Sequence, residues 1–279
     1  MDRVKRNERL GAMTHLLIQN PGKNHTFSEF CDLFGSAKST ISEDINLIAD
    51  SLSRFELGTV YTIAGAAGGV VYRPTVSEKK AREFLSQIAK TLSEKERLLP
   101  GGFLYTSDIT SDPETTEMLG RIFAMRFADL NPSLVLTMET KGIPIALMTA
   151  RALNVPLVVA RRDSKAYEGS AVKISYMSGG DSGRIETMAL SRRAVKEGQR
   201  ALIIDDFMKG GGTLQGMVDM MAEFQATVVG IGVMISTAQP QDKKCKNVKT
   251  LLTLSSINSE TGECTVDASE EFLNAIKTK

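Results

Sequence analysis

The sequence predicts an α/β chain in two parts: an N-terminal head of helices closed by a β-hairpin, then a larger domain built on a doubly wound parallel sheet. Three observations carry this. Apolar residues recur at helical spacing in three stretches up to Ser53, then alternate in two short runs around a glycine-rich tip. From Asp112 onward, short and almost continuously apolar runs alternate with helical patterns, as the buried strands of a parallel sheet do. The length of 279 residues suits two domains at roughly 100–200 residues each.

In the head, a helix is expected over residues 2–19, with Val4, Leu10, Met13, Leu16 and Leu17 on one stripe and Asn20-Pro21-Gly22 as its stop. A short helix follows, capped by Thr26 or Ser28 and ended by Gly35 at the C′ position. A third runs from Lys38 to about Ser53 on Ile41, Ile45, Ile48 and Leu52. Thr59–Ile63 and Val70–Tyr72 read as two strands, with Ala64–Gly69 as the tip between them. Helix, short helix, tight turn, helix and hairpin is the order of a winged helix-turn-helix over residues 1–73.

Residues 74–100 are charged and helical in pattern and read as a linker region, opening a second domain that spans 74–279. Asp112-Pro113-Glu114 starts a helix, with Asp as N-cap and Pro at N1, that runs to about Leu130. Next come strand Leu134–Met138, helix Ile143–Leu153 and strand Leu157–Ala160. A long basic segment has β-like pieces at Ala171–Tyr176 and Arg184–Leu190. Strand Ala201–Ile204, helix Thr213–Phe224, strand Thr227–Ile235 and a last strand around Thr250–Leu254 complete the series.

Composition excludes several classes. Hydrophobic residues make 42% and charged ones 24%, ordinary for a globular protein. No window approaches 18 uncharged apolar residues, so no membrane span is expected. The first nine residues are followed by no apolar h-region, so no signal peptide is read there. Cys31, Cys245 and Cys264 are odd in number and scattered, which argues for a reducing cytoplasm. His15 and His25 have no partner at ligand spacing, so no metal site is expected. The formal net charge of +1 announces no nucleic-acid partner, yet Arg3, Lys5, Arg6 and Arg9 crowd the first ten residues. Residues 161–200 carry nine Lys/Arg against five Asp/Glu.

The sharpest motif is Ala201-Leu202-Ile203-Ile204-Asp205-Asp206-Phe207-Met208-Lys209-Gly210-Gly211-Gly212-Thr213. An apolar strand delivers two carboxylates at its C-terminal end, where open α/β sheets bind ligands. Lys209 and three glycines then open a helix, with Thr213 placed to cap it. Glycines let backbone N–H groups approach an anion, and a helix N-terminus adds positive charge. Acceptor-only carboxylates suit ribose hydroxyls, so the two ends together describe a ribose 5-phosphate cradle. Either half alone also fits a metal site, a helix cap or a plain loop. The spacing is neither G-x-x-x-x-G-K-[ST] nor G-x-G-x-x-G.

This motif resembles the signature of the type I phosphoribosyltransferases. Gly210 stands where that family commonly has Thr, and Lys209 where a small residue is frequent; these departures put catalytic competence in question. Two further stretches fall in the family's order. The resemblance implies that the Met138–Pro144 loop binds pyrophosphate through Thr140, Lys141 and Gly142. It also implies that the segment from Arg161 to Arg184 closes over the ligand, with Arg161, Lys165, Lys173 and Arg184 in reach of it. For each of these side chains a solvated position is the ordinary alternative. The implied ligand is phosphoribosyl pyrophosphate, accompanied by Mg²⁺ held mostly through water, and no cofactor is required.

A winged helix ahead of such a core suggests ligand sensing coupled to DNA binding. The recognition helix starts near Lys38 and presents Lys38, Ser39, Thr40 and Ser42 to double-stranded operator DNA. Arg3, Lys5 and Arg6 hold the flanking backbone, with Arg73 a weaker candidate; a small interaction module with Ser/Thr caps is the alternative. Over both domains the chain resembles the purine operon repressors of Gram-positive bacteria, through Ser36–Asp44, Glu139–Pro144 and Asp205–Thr213. The resemblance implies a cytoplasmic homodimer that represses purine biosynthesis and transport genes and is released by phosphoribosyl pyrophosphate. It further implies competition by guanosine tetraphosphate-type alarmones and no phosphoribosyl transfer. An active purine phosphoribosyltransferase with a regulatory head is the alternative. Tyr105 and Phe207 are the aromatics that could stack on a purine ring, although core packing is their ordinary role.

Overall fold

The computed structural model describes residues 4–65, 68–100, 102–163, 169–178, 183–258 and 261–274. The chain divides into two compact units, the first Met1–Ser77 together with Arg151–Asn154, the second Glu78–Ala150 together with Val155–Lys279.

In the first unit, α1 (Arg6–Gln19) begins later than the apolar stripe suggested. Lys5 is extended, with ψ 155°, because Glu8 folds back and its carboxylate accepts the Lys5 N–H at 2.7 Å. A two-residue strand, β1 (His25–Thr26), precedes α2 (Phe27–Phe34). Thr26 caps α2 reciprocally: its hydroxyl accepts the Glu29 N–H, and Glu29 accepts the Thr26 N–H, both at 3.2 Å. Gly35 ends the helix in the left-handed region, φ +57°. Helix α3 (Lys38–Arg54) buries Ile41, Ile45, Ile48 and Leu52 against Met13 and Leu17 of α1 and Phe30 and Phe34 of α2. Strands β2 (Thr59–Ile63) and β3 (Gly69–Arg73) form the wing, and β1 adds to β3 to make a sheet of order β1-β3-β2. Residues 66 and 67 of its tip lie outside the described residues.

The helices of this head are tied by charge as well as by packing. Asp44 of α3 is fully buried and accepts from Arg6 Nε at 2.8 Å and from Arg9 Nε at 2.9 Å. Arg9 is itself buried and also reaches the Val4 carbonyl.

The second unit opens with α4 (Glu78–Leu92) inside the segment read as a linker. Ala81, Leu85, Ile88, Ala89 and Leu92 form its buried face. A small hairpin, β4 (Leu98–Leu99) and β5 (Phe103–Leu104), and a short α5 (Ser107–Ser111) lead to α6 (Pro113–Phe127). Asp112 caps α6 as its sequence requires, accepting the Thr115 N–H at 2.7 Å. Then come β6 (Leu134–Met138), α7 (Ile143–Leu153), β7 (Leu157–Ala160), and the antiparallel hairpin β8 (Ala171–Ser178) and β9 (Arg184–Ser191). The series closes with β10 (Arg200–Met208), α8 (Gly212–Glu223), β11 (Thr227–Thr237), β12 (Lys249–Asn258), β13 (Glu263–Ala268) and α9 (Glu270–Asn274).

The main sheet has the order β13-β12-β11-β10-β6-β7, parallel except for β13 at its edge. Alternate residues of β10 and β11 face opposite layers. Ala201, Ile203, Ile231 and Val233 cluster with Leu214, Met217, Met220 and Met221 of α8, so the α8 methionines are core. On the other face, Gly230 and Gly232 lie under the Phe127 and Phe123 rings of α6; an added Cβ would stand 2.8 and 2.7 Å from them. Strand β6 has β7 on one side and β10 on the other. This reversal is a topological switch point, and the loops after β6 and β10 leave the sheet beside it.

Candidate functional site

The Asp pair sits further along than expected. Strand β10 does not end at Ile204 but runs through both aspartates to Met208, because Asp205 and Phe207 pair with Val233 and Ile235 of β11. Asp205 is 6% exposed and its carboxylate accepts the Asp206 N–H at 3.0 Å. Burial pushes its carboxyl well above the ordinary aspartate range, and the Asp206 charge adds to the push. Burial raises Asp206 as well, while hydrogen bonds and the nearby Lys141 act against it.

The charge of Lys141 is felt at Asp206 because the loops after β6 and β10 lie side by side at the switch point. Gly142 lies directly against the pair: a Cβ there would collide with Asp205 Oδ1 and Thr137 Oγ1. Thr137 is fully buried, and its hydroxyl has no hydrogen-bond partner among the described residues; nothing in the apolar run of β6 marks it out. Thr140 and Lys141 are exposed in the turn. Arg161 is drawn back toward Glu139, 3.5 Å away, and the other Glu139 oxygen accepts the Arg162 N–H at 2.7 Å.

The glycine loop differs from the sequence expectation at its cap. Gly211, φ +79°, is the N-cap of α8, and Thr213 lies inside the first turn. A left-handed cap suits glycine, so the hydroxyl is released from capping and interacts with Tyr176. The Gly210 carbonyl accepts the Lys244 N–H at 2.9 Å, and a Cβ on Gly211 would meet Cys245 N at 2.9 Å. Lys209 is exposed, and its carbonyl accepts from Lys243. Phe207 is half-buried in the strand.

The basic segment expected to close over the ligand is the β8–β9 hairpin, which packs on α8. Gly212 and Gly216, one turn apart, are its seat: a Cβ on Gly212 would overlap the Met177 carbonyl, and one on Gly216 would press on Tyr176 and Met188. Tyr176 donates to Glu186 across the hairpin at 2.8 Å. Burial first, and this bond second, push the Tyr176 phenol up to about 12, and the same bond lowers Glu186. Lys173 and Arg184 are exposed on the hairpin; Lys165 lies outside the described residues. Gly212→Ala is expected to lift β8–β9 from α8. An isolated two-stranded hairpin is marginally stable, so amide exchange in Ala171–Ser178 should quicken by about tenfold or more while β11 keeps its protection. Unchanged exchange in the hairpin would contradict the seat.

Tyr105 is exposed and engaged by the Arg97 guanidinium, 5.8 Å from the ring centroid; Arg97 in turn holds Asp108 through both carboxylate oxygens. In the head, Lys38 opens α3 with its ammonium 5.4 Å from the Phe27 ring. Ser39 is exposed, and Thr40 and Ser42 are half-buried. Lys5 is exposed, whereas Arg6 is committed to Asp44 with its side chain 53% exposed. Arg73 stacks on Tyr61 at 4.8 Å, and Arg3 lies outside the described residues.

A winged-helix head and a parallel-sheet domain with a carboxylate pair and a glycine loop at its switch point define a class: a helix-turn-helix chain carrying a phosphoribosyltransferase-fold domain. Residues 5–74 match the family described as bacterial purine repressor, N-terminal, and residues 106–269 match the phosphoribosyl transferase domain. The chain is 42% identical over 256 residues to the purine biosynthesis transcriptional repressor PurR of Bacillus subtilis, covering 92% of this chain and 90% of that one. It is 38% identical over 255 residues, 91% and 94% of the two chains, to the purine biosynthesis transcriptional activator PurR of Lactococcus lactis subsp. lactis. Among solved structures, adenine phosphoribosyltransferase from Rhodothermus marinus shares the fold of the second unit, at TM-score 0.53 and 22% identity over 62% of this chain and 99% of that one. The chain belongs to the PurR family of purine biosynthesis transcriptional regulators.

Proposed function

We propose that this chain is a cytoplasmic transcriptional repressor of purine biosynthesis and transport genes, binding operator DNA as a homodimer and released by phosphoribosyl pyrophosphate. One observation carries the reading: a buried carboxylate, Asp205, beside the half-buried Asp206, flanked by the glycine loop of α8 and by the Thr140–Gly142 turn whose Lys141 charge acts on Asp206. Asp205 and Asp206 accept hydrogen bonds from the ribose 2′ and 3′ hydroxyls. The N–H groups of Gly210–Thr213 receive the 5-phosphate at the positive end of α8. Thr140, Lys141 and Gly142 receive the pyrophosphate, with Arg161 available once it leaves Glu139. Mg²⁺ arriving with such a polyanion supplies charge neutralisation that the acceptor-only carboxylates cannot. Guanosine tetraphosphate-type alarmones carry comparable phosphate groups and compete for the same pocket.

In the head, Lys38, Ser39, Thr40 and Ser42 at the start of α3 enter the major groove, and Lys5 and Arg6 hold the flanking phosphates. Release requires the effector to bind the DNA-free arrangement more tightly; taking the bound fraction from 99% to 1% needs about 10⁴-fold preference. The test is a promoter gel shift with and without phosphoribosyl pyrophosphate and Mg²⁺, and the expected result is loss of the shifted band. A band that strengthens with effector, or a purine-gene reporter that falls on deletion of the gene, would make the chain an activator. Incubation with labelled hypoxanthine, xanthine, adenine or guanine and the sugar donor is expected to yield no nucleotide; nucleotide formation would make it an enzyme with a regulatory head.

A further inference from the structure

The loop between β11 and β12 brings a cation up behind the glycine loop. Lys243 is 34 residues from Lys209 in sequence, yet its ammonium donates to the Lys209 carbonyl. It also donates to the Thr237 carbonyl at 2.7 Å and to the Thr237 hydroxyl at 2.9 Å. Its three donors therefore tie the end of β10 to the end of β11. The next residue continues the contact, Lys244 N–H to the Gly210 carbonyl at 2.9 Å. In a trans peptide the C=O and the following N–H point in opposite directions. With the Lys209 and Gly210 carbonyls turned toward 243–244, the Gly210 and Gly211 N–H groups face away from them, on the side left for an anion.

The charge of Lys243 is uncompensated. Lys246 pairs with Asp242, but no carboxylate among the described residues pairs with Lys243. Burial lowers its pKa. An ammonium that is part-buried, bound only to neutral oxygens and set against the backbone of an anion-binding loop favours any anion placed on the far side of that loop.

We propose that Lys243 is a positioning residue of the phosphate loop: it fixes the peptides that precede α8 and supplies the counter-charge for the phosphate monoester of a bound pentose. This rests on the ligand reading given under the proposed function. The test is calorimetric titration of the full chain with ribose 5-phosphate, comparing wild type with Lys243→Met and Lys243→Arg, with thermal melts as the folding control. Met keeps the stem and removes donors and charge, and about tenfold or greater weakening is expected, the weight of one charged hydrogen bond. Arg keeps the cation and a fork of donors, and should stay within about threefold of wild type. If Lys243→Met does not fold, Lys243→Gln, which keeps a donor without charge, is held to the same tenfold criterion. Binding of the neutral variant at wild-type strength, or equal weakening by Met and Arg, overturns the assignment. Absence of binding by wild type overturns the ligand reading itself, and the assignment with it.

Discussion

Replacing Asp205 and Asp206 together with alanine is expected to leave a chain that holds its operator whatever the concentration of phosphoribosyl pyrophosphate. The two carboxylates stand side by side at the end of β10, suited to accept from both ribose hydroxyls. Each charge-assisted bond contributes about 1.5–3 kcal/mol, so losing two weakens effector binding by about a hundredfold or more. Operator binding without effector is expected to survive, because the helices proposed to read DNA belong to the first unit and the two aspartates to the second. The fold survives as well. A carboxyl whose folded pKa stands above its unfolded one favours the folded state only while protonated; that contribution is complete below about pH 4 and is lost as pH rises through the raised folded value. At pH 7 the buried Asp205 therefore costs stability. Asp205→Asn is expected to raise Tm at pH 7, with the gain shrinking as pH is lowered toward 4. A double variant still released normally by the effector would sink the ligand reading; a Tm no higher than wild type at pH 7 would sink the electrostatic account of Asp205.

The second large effect is expected at Asp44. It is fully buried and holds Arg6 and Arg9 of α1 from the middle of α3. Removing one partner of a buried ion pair leaves the other charge desolvated and costs about 3–5 kcal/mol, a large part of the stability of a small domain. Asp44→Ala should therefore abolish operator binding by loosening α1 from α3, while ribose 5-phosphate still binds the second unit. Replacing the set with apolar residues, Asp44→Leu with Arg9→Met, should recover much of the stability, since a well-packed apolar exchange for a buried pair is close to neutral. Operator affinity unchanged in Asp44→Ala would show that the ion pair does not set the head.

What could be read from sequence was what local chemistry encodes. Thr26 and Gly35 bracket α2, and Asp112-Pro113 opens α6, because caps depend on residues a turn apart. Ile41, Ile45, Ile48 and Leu52 are buried because their spacing matches the helix period. The switch-point loops follow from apolar runs ending in Glu139–Gly142 and Lys209–Gly212. The misses are of another kind. Thr213 looks like a cap until Gly211 takes the left-handed position. Strand β10 seems to stop at Ile204 because charge at Asp205 breaks the apolar run, yet its ladder with β11 continues. Segments β13 and α9 are short and weakly patterned, and their places depend on β12 and α4. Lys243 sits in the polar run Gln241-Asp242-Lys243-Lys244, which carries no local signal; only the return of the chain beside Lys209 brings it to the glycine loop. Asp44 has no role in the sequence reading, because its partners Arg6 and Arg9 lie 35 or more residues away and meet it only when α1 packs on α3.

The bare backbone that β11 presents beneath α6 has an evolutionary corollary. Gly230 and Gly232 are the recesses into which Phe127 and Phe123 fit, so the size of each ring and the lack of a side chain below it form one shape. A larger residue at 230 or 232 is tolerable only with a smaller one at its aromatic counterpart. Among related chains these positions should therefore drift as matched pairs, preserving the volume between helix and sheet.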